Sequence, residues 1–479
     1  MQEFNLVKDG FIDVRIKGSY KAVNLRELFL KAHQIDDIRF DDTMANCAIH
    51  RFIVAMTYHM LEIQTDSEWH KIFKRGKFDS KVVNAYFDKY YDRFELFGER
   101  PFYQDPDMKK QKDKEDKSIN VLRLLSSNEG SLFSKDFENV TTMNSKDIAM
   151  GILVCCLIDN SGGKGHSMKR SQFSQSSRGA IMDVISGDNL FKTILFNTPP
   201  YDALNDSSNM GCSFRSDFKK DRPWWATSWK EEKKRGTDCE ILGYMDYLTR
   251  PCRRLKIVNA DKIKSIRIDG GYIPEEEIFD PFCLYAIVLG EGKAIHVSHP
   301  DQIWQHFSAF VLADRAEGSS VRLMNWQIFT NIDQDNEQVV FHRLFICNTD
   351  KKKSKYQQFF ERQLYTSSAD DICDLSINLA SSMYDIYVKY RKQIYSVLCS
   401  CLGKGKSNKV KIGKIIDSLA TEFYSVGYNL FSQYNNENLT DEIKKIAEAE
   451  FARAAYVTKK IFLSTNRDFM IEAHKKGII

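Results

Sequence analysis

The stretch Ile372–Val397, ICDLSINLASSMYDIYVKYRKQIYSV, sets Ile372, Leu375, Leu379, Met383, Ile386, Tyr390, Ile394 and Val397 at steps of three and four. That spacing puts all eight on one face of an α-helix. The pattern returns in Ile412, Ile415, Leu419, Phe423, Val426 and Leu430, and Gly403–Asn408 between the two is a short polar turn. The two helices are therefore expected to fold back antiparallel. A third helix is expected after Thr440, a hydroxyl N-cap followed by Asp441 and Glu442, which favour the positive end of the helix dipole. It runs through Ile443, Ala447, Phe451, Ala454 and Ile461. Thr465-Asn466-Arg467 interrupts it before a last short helix from Asp468 to Lys476. Proline, which breaks helices, is absent from the last 179 residues. From residue 366 to 479 the sequence thus predicts a four-helix bundle.

Working back from it, residues 1–365 read as a mixed domain, so the fold class is α+β. Phe11–Ile16 alternates like a strand and meets a Lys-Gly-Ser turn at 17–19. Helices are expected at Leu25–His33, Met44–Leu61 and Lys81–Phe97, and strands at Ile263–Ile268, Leu284–Leu289, Val321–Thr330 and Gln338–Ile346. No fixed-period repeat is visible, which argues against a solenoid.

The 479 residues carry 69 Lys+Arg against 65 Asp+Glu, with 43% hydrophobic residues. This is a folded, water-soluble composition of two or three domains. No apolar run approaches the roughly 18 residues of a membrane helix. Met1–Asn5 lacks the basic start of an export signal. The eleven cysteines are scattered without a C-x-x-C pair, the pattern of buried free thiols in a reducing compartment, and no metal site is expected. The expected location is cytoplasmic.

Charge is unevenly distributed. Residues 160–182 hold Lys164, Lys169, Arg170 and Arg178, no acid, and ten Ser or Gly among 23 residues. Such a loop can bring backbone N–H groups close to a phosphate or base edge; a plain linker would read the same way. Gly162–Ser167 does not meet the spacing of a nucleotide-phosphate loop, which excludes that class of NTPase. Residues 250–267 hold Arg250, Arg253, Arg254, Lys256, Lys262, Lys264 and Arg267 against the single acid Asp261. A local balance of +6 favours a polyanion. Trp224 and Trp225 can stack bases or fill core, and core is favoured. By contrast, 107–117 is nearly balanced in charge and reads as a solvated loop. The polar segment Thr330–Glu337 joins two strand-like runs as a hairpin tip, where the amides of Asn331 and Gln334 can compete with base pairing without carrying charge. An ordinary exposed hairpin is the other reading. His296, His299 and His306 could ligate a metal but lack a paired carboxylate cluster, so surface histidines are expected. No catalytic motif appears.

These segments, taken in order, resemble a known family. Phe4-Asn5-Leu6 with Gly10–Arg15, Phe94–Gln104 (FELFGERPFYQ), Arg178-Gly179-Ala180 with Leu190–Leu195, Arg222-Pro223-Trp224-Trp225 and Gly243–Leu255 (GYMDYLTRPCRRL) are similar to the CasA-type large subunit of the type I-E CRISPR Cascade complex. The resemblance is collinear over most of the chain and includes the C-terminal bundle. It implies a non-catalytic subunit without a cofactor. That subunit checks the protospacer-adjacent motif in double-stranded DNA, starts R-loop formation and recruits the helicase-nuclease, while the guide RNA reads sequence. Carried over by position, Gly162, Gly163, Lys164 and Gly165 form a glycine loop on the motif, and Lys262 or Lys264 is a lysine finger. Asn331 and Gln334 are a wedge beneath the motif. Leu132 and Phe133 match the loop on the 5′ handle of the guide RNA, and Lys169, Arg170, Arg178, Arg253 and Arg254 are expected on the DNA backbone. Three departures stand out. The cysteine-rich insertion of some members is absent, with Cys252 and Cys283 standing alone. Lys164 adds a charge to the glycine loop, and Asp333 and Asp335 put like charge against DNA at the wedge. Two other classes fit parts of the sequence: a metal-dependent nuclease using scattered Asp, Glu and His, and a scaffold that binds only proteins.

Overall fold

The structure, a computed structural model, describes 3–110, 116–123, 143–158, 181–204, 217–227, 231, 238–258, 265–271, 273–274, 280, 282–288, 291–294, 297, 299–307, 321–323, 339–349, 357–367, 370–403, 405–436 and 438–479. The chain forms two compact units. One comprises Met1–His296, Leu323–Ile332 and His342–Glu361; the other Val297–Arg322, Asp333–Phe341 and Arg362–Ile479.

The first unit opens with strands β1 (Ile12–Ile16) and β2 (Ser19–Val23), paired antiparallel from Ile12↔Val23 to Ile16↔Ser19, and β3 (Asp37–Ile38) lies on the other side of β1. The register leaves Lys17 and Gly18 as a two-residue turn, and both take positive φ (49° and 77°), as the twist-matched hairpin turn requires. Helix α1 (Leu25–Leu30) is capped by Asn24 and gives way to a 3-10 turn at Ala32–Gln34, shorter than the expected helix.

Helix α2 (Thr43–Leu61) is buried nearly all round, with sixteen of its side chains in the core, the mark of a helix at the centre of a layered domain. Asp42 caps it, accepting from the Met44 N–H at 2.9 Å. Around it lie α3 (Asp66–Arg75), started by the reciprocal Thr65/Glu68 capping box, and α4 (Ser80–Lys89). The predicted helix over 81–97 instead ends at Lys89 and continues as a 3-10 turn, Tyr91–Phe94, which sets Phe94 against Phe87 and Trp225 at 6.2 and 5.9 Å.

Strand β4 (Lys117–Ser118) leads into the 3-10 turn Ile119–Arg123. Then follow α5 (Ser145–Leu157), β5 (Ile181–Ser186), α6 (Leu190–Phe196), α7 (Tyr201–Leu204), β6 (Asp238–Cys239) and α8 (Tyr244–Thr249). Strands β7 (Arg253–Val258), β8 (Ser265–Gly270), β9 (Ile273–Pro274), β10 (Leu284–Val288), β11 (Glu291–Ala294), β12 (Val321–Leu323), β13 (Val339–Thr349) and β14 (Gln357–Ser367) complete the sheets, ordered β4-β8-β7, β11-β10-β12, β14-β13-β5 and the parallel pair β6-β9. Of the expected strand 321–330, only its beginning is among the described residues.

A buried ion pair and a buried histidine–carboxylate contact help tie this unit together. Arg51 of α2 meets Asp280 at 2.6 Å with side-chain exposures of 1% and 0%, lies over the rings of Tyr247 and Phe282, and shares the carboxylate with the Tyr247 hydroxyl at 3.0 Å. Removing one partner of such a pair costs about 3–5 kcal/mol, because the other charge stays buried. His342 of β13 meets Asp183 of β5 at 2.7 Å, both fully buried.

In the second unit, four helices follow the sequence reading: α9 (Asp370–Leu402), α10 (Lys406–Tyr434), α11 (Asp441–Ser464) and α12 (Arg467–Lys475). Thr440 accepts from the Ile443 N–H at 3.3 Å and Asn466 from the Asp468 N–H at 2.9 Å. Tyr390 of α9 stacks on Phe423 of α10 at 4.7 Å, and Phe423 packs on Phe451 of α11 at 4.8 Å. Val397, Leu463 and Ala473 close the core under α12. A 3-10 turn, Pro300–His306, completes the unit: Trp304 packs on Phe451 at 5.5 Å, and Asp301 takes Arg362 and Ser425, each at 2.5 Å. No helix among the described residues is long and apolar enough to cross a membrane.

Candidate nucleic-acid interface

Most of the expected contact residues lie outside the described residues: Leu132 and Phe133 in 124–142; Gly162, Gly163, Lys164, Gly165, Lys169, Arg170 and Arg178 in 159–180; Lys262 and Lys264 in 259–264; Asn331 and Gln334 in 324–338. The structure describes the frame that carries these segments. In sequence, 124–142 joins the 3-10 turn Ile119–Arg123 to α5, 159–180 joins α5 to β5, 259–264 joins β7 to β8, and 324–338 joins β12 to β13.

That frame is tightly packed. At Gly151 of α5 an added Cβ would stand 2.8 Å from the Leu122 Cβ, so α5 crosses the 3-10 turn at the one residue type that lets the backbones approach. At its other end α5 is stitched to the approach of β7: the Cys252 N–H donates to the Cys156 carbonyl at 2.8 Å and the Cys252 thiol to the Cys155 carbonyl at 3.4 Å. β7 and β8 pair from Arg253↔Gly270 to Val258↔Ser265, which brings the two ends of 259–264 side by side. The Asp183–His342 pair joins β5 and β13, the strands that follow 159–180 and 324–338. Burial raises the Asp183 carboxyl above its usual range, and the His342 contact opposes that shift.

The basic run 250–267 is a different object in space than in sequence. Arg250 is buried and forks onto Asp246 at 2.5 and 2.6 Å. Arg254 donates to Asp105, whose carboxylate is fully buried, and Lys256 to the Pro106 carbonyl. Arg267 pairs with Asp116 at 2.7 Å, holding that carboxyl below its usual range. Arg253, half-buried on β7, also has a partner within the fold. This corrects the local balance of +6: Asp105, Asp116 and Asp246 lie outside the window but neutralise cations inside it. Of the two arginines expected on the DNA backbone, Arg254 is engaged in holding β7 to the segment around Asp105. Lys262 and Lys264 are the members of the run outside the described residues.

Trp224 and Trp225 are core residues, 6% and 4% exposed. The Trp225 indole N–H donates to the Tyr86 hydroxyl at 2.8 Å, and its ring packs on Phe52 at 4.8 Å. His299 caps the 3-10 turn by accepting from the Asp301 N–H at 3.3 Å. His306 is half-buried rather than a surface residue, and burial pushes its imidazole down to about 4. Seven cysteines among the described residues are free thiols, six of them buried. Among the described residues no group of three His, Cys, Asp or Glu is arranged to hold a metal ion.

Against known proteins, the chain is 25% identical over 328 residues to the CRISPR-associated protein CasA/Cse1 of Thermus thermophilus, a match spanning 65% of this chain and 61% of that relative's length. A crystal structure of Thermus thermophilus CasA superposes with a TM-score of 0.77 at 17% identity, covering 99% of this chain and 98% of that one. A chain of a CRISPR RNA-guided surveillance complex does so with a TM-score of 0.74 at 14% identity, covering 99% of each chain. At such identities the superpositions speak for the fold. Sequence speaks for the family: the model of CRISPR-associated protein Cse1 matches residues 5–457, from the first strands through most of α11, and the chain belongs to that family.

Proposed function

We propose that this chain is the non-catalytic large subunit of an RNA-guided CRISPR surveillance complex in the cytoplasm. In this reading it recognises the protospacer-adjacent motif in double-stranded DNA, begins duplex opening and recruits the helicase-nuclease. The observation that carries the proposal is the family match over residues 5–457. A packed frame supports it, because the ends of the glycine-rich, lysine-bearing and amide-bearing segments are fixed to α5, β5, β7, β8 and β13, and rigid scaffolds present recognition loops.

On this reading Gly162, Gly163, Lys164 and Gly165 approach the motif, with Lys262 or Lys264 beside them. Asn331 or Gln334 enters the stack below it, where unstacking costs about a few kcal/mol per step. Leu132 and Phe133 hold the 5′ handle of the guide RNA. Lys169, Arg170 and Arg178 meet phosphates, and Arg253 and Arg254 do so only by sharing or leaving their present partners. The partners are the guide RNA, target DNA, the other subunits and the recruited nuclease; no cofactor is required.

The test is co-purification with a guide RNA and neighbouring subunits, followed by duplex binding with and without the motif. Lys262→Glu with Lys264→Glu, or Gln334→Ala, is expected to weaken motif-dependent binding by the assembled complex. Unchanged binding across low and high salt overturns the assignment. Cleavage of DNA or RNA by the purified chain with magnesium or manganese would identify a nuclease instead.

A further inference from the structure

A second basic feature lies in the helical unit, remote in sequence from every segment proposed above to contact nucleic acid. An open cleft of about 660 Å³ runs along α9 toward the end of α12, and its lining includes Lys389, Lys392 and Lys476 with Gln393, Ser396 and the single acid Asp385. Positions 385, 389, 392, 393 and 396 follow helical spacing, so one face of α9 supplies a wall of polar groups interrupted by Val388, and Ile478 adds further apolar surface to the lining. Beneath that wall lies a fourth lysine. Lys459 of α11 is only 8% exposed and donates to the Gln393 side chain at 2.7 Å. Burial, and then the charge on Lys389, pulls its ammonium below the usual lysine range. Lys476 is tied to the Ser396 hydroxyl at 3.0 Å, with Glu472 at 3.7 Å.

We propose that this cleft on α9 and α12 binds the phosphodiester backbone of a nucleic-acid strand. Three lysines line the cleft, Lys389, Lys392 and Lys476, against Asp385 and Glu472, and the charge of Lys389 also acts on the buried Lys459 held beneath Gln393. That arrangement stores repulsion which an anion relieves. The wall runs from Asp385 to Ser396 of α9, about 16 Å of helix axis, which suits a run of several nucleotides rather than a single phosphate. The lining holds no aromatic side chain on which a base could stack, so recognition falls on phosphates and is independent of sequence. Gln393 and Ser396 can add neutral hydrogen bonds to phosphate or sugar oxygens.

The test uses the full chain alone, without guide or partner subunits, so its result is independent of the surveillance-complex reading. Fluorescent dT20 and rU20 are titrated separately over a series of salt concentrations against the wild type and against the Lys389→Gln, Lys392→Gln double variant. On at least one strand, affinity is expected to fall on the order of tenfold near 0.1 M salt, with the slope of log K against log salt smaller by about 1.4, as expected when two single-strand phosphates are no longer neutralised. The Lys389→Arg, Lys392→Arg pair is expected to restore both, and Lys476→Gln to give a smaller loss. Unaltered affinity and slope for both strands overturn the proposal, as does a wild type that captures neither. Displacement of the bound strand by poly-glutamate as effectively as by unlabelled strand also overturns it, by assigning the cleft to an acidic protein.

Discussion

Arg250 grips Asp246 from one helical turn away, its guanidinium 2.5 and 2.6 Å from the two carboxylate oxygens, with side-chain exposures of 0% and 3%. A charge so placed holds α8 to the approach of β7 and is not available to a ligand. Arg250→Gln is therefore expected to lower unfolding stability by about 3–5 kcal/mol, the penalty for breaking a buried pair. It should leave the salt dependence of duplex binding by the assembled complex as it is. Lys262→Gln is expected to do the reverse, sparing stability and reducing the salt slope by about 0.9 for each phosphate the lysine neutralises. Urea midpoints and salt titrations of both variants give the answer; a reduced slope for Arg250→Gln would return that residue to the DNA.

Gly427 and Gly413 both lie in α10, yet opposite effects are expected from the same substitution. A Cβ at Gly427 would stand 2.6 Å from the Trp304 indole, whereas one at Gly413 would meet nothing within 4 Å. Alanine gains about 1 kcal/mol of helix propensity at either position. At Gly427 the fully buried Trp304 must move, at a cost of about 1–3 kcal/mol. Gly413→Ala should raise the urea midpoint and Gly427→Ala lower it. Parallel shifts would mean that the indole has room to adjust.

The bundle was legible in the sequence because its information is local: helical spacing, the Thr440 cap and the break at Thr465-Asn466-Arg467 all act within a few residues. Helix α5 was not, since SKDIAMGILVCCL is apolar on every side and buried helices lose their periodicity. The Thr65-x-x-Glu68 capping box of α3 is a readable local signal that the sequence reading passed over. Strand β14 was missed because QQFFERQLYTS does not alternate cleanly. Charge misled for a different reason. Arg254 is answered by Asp105, 149 residues away, and no window count can register that neighbour. The lysine cleft on α9 stayed hidden for the same reason, since Lys476 joins Lys389 and Lys392 only after the bundle closes.

Asp221 sets a pH dependence that can be separated from the rest of the chain. Its carboxylate accepts from the Tyr201 hydroxyl at 2.6 Å and from the Met245 and Asp246 N–H groups at 2.7 and 2.9 Å. Burial nevertheless outweighs these donors and pushes the group up from 3.8 to about 6. A raised carboxyl is protonated in the fold where the unfolded chain has already ionised, so its contribution is complete below about pH 3.8 and is lost as pH rises through about 6. A displacement of about two pH units corresponds to a loss on the order of 3 kcal/mol. Other carboxylates and the histidines superimpose their own slopes, so the informative quantity is the stability difference between the wild type and Asp221→Asn. Measured by urea unfolding from about pH 4 to 7, that difference is expected to change steadily up to about pH 6 and then level off. A constant difference across the range would show that the three donors, and not burial, set the ionisation of Asp221.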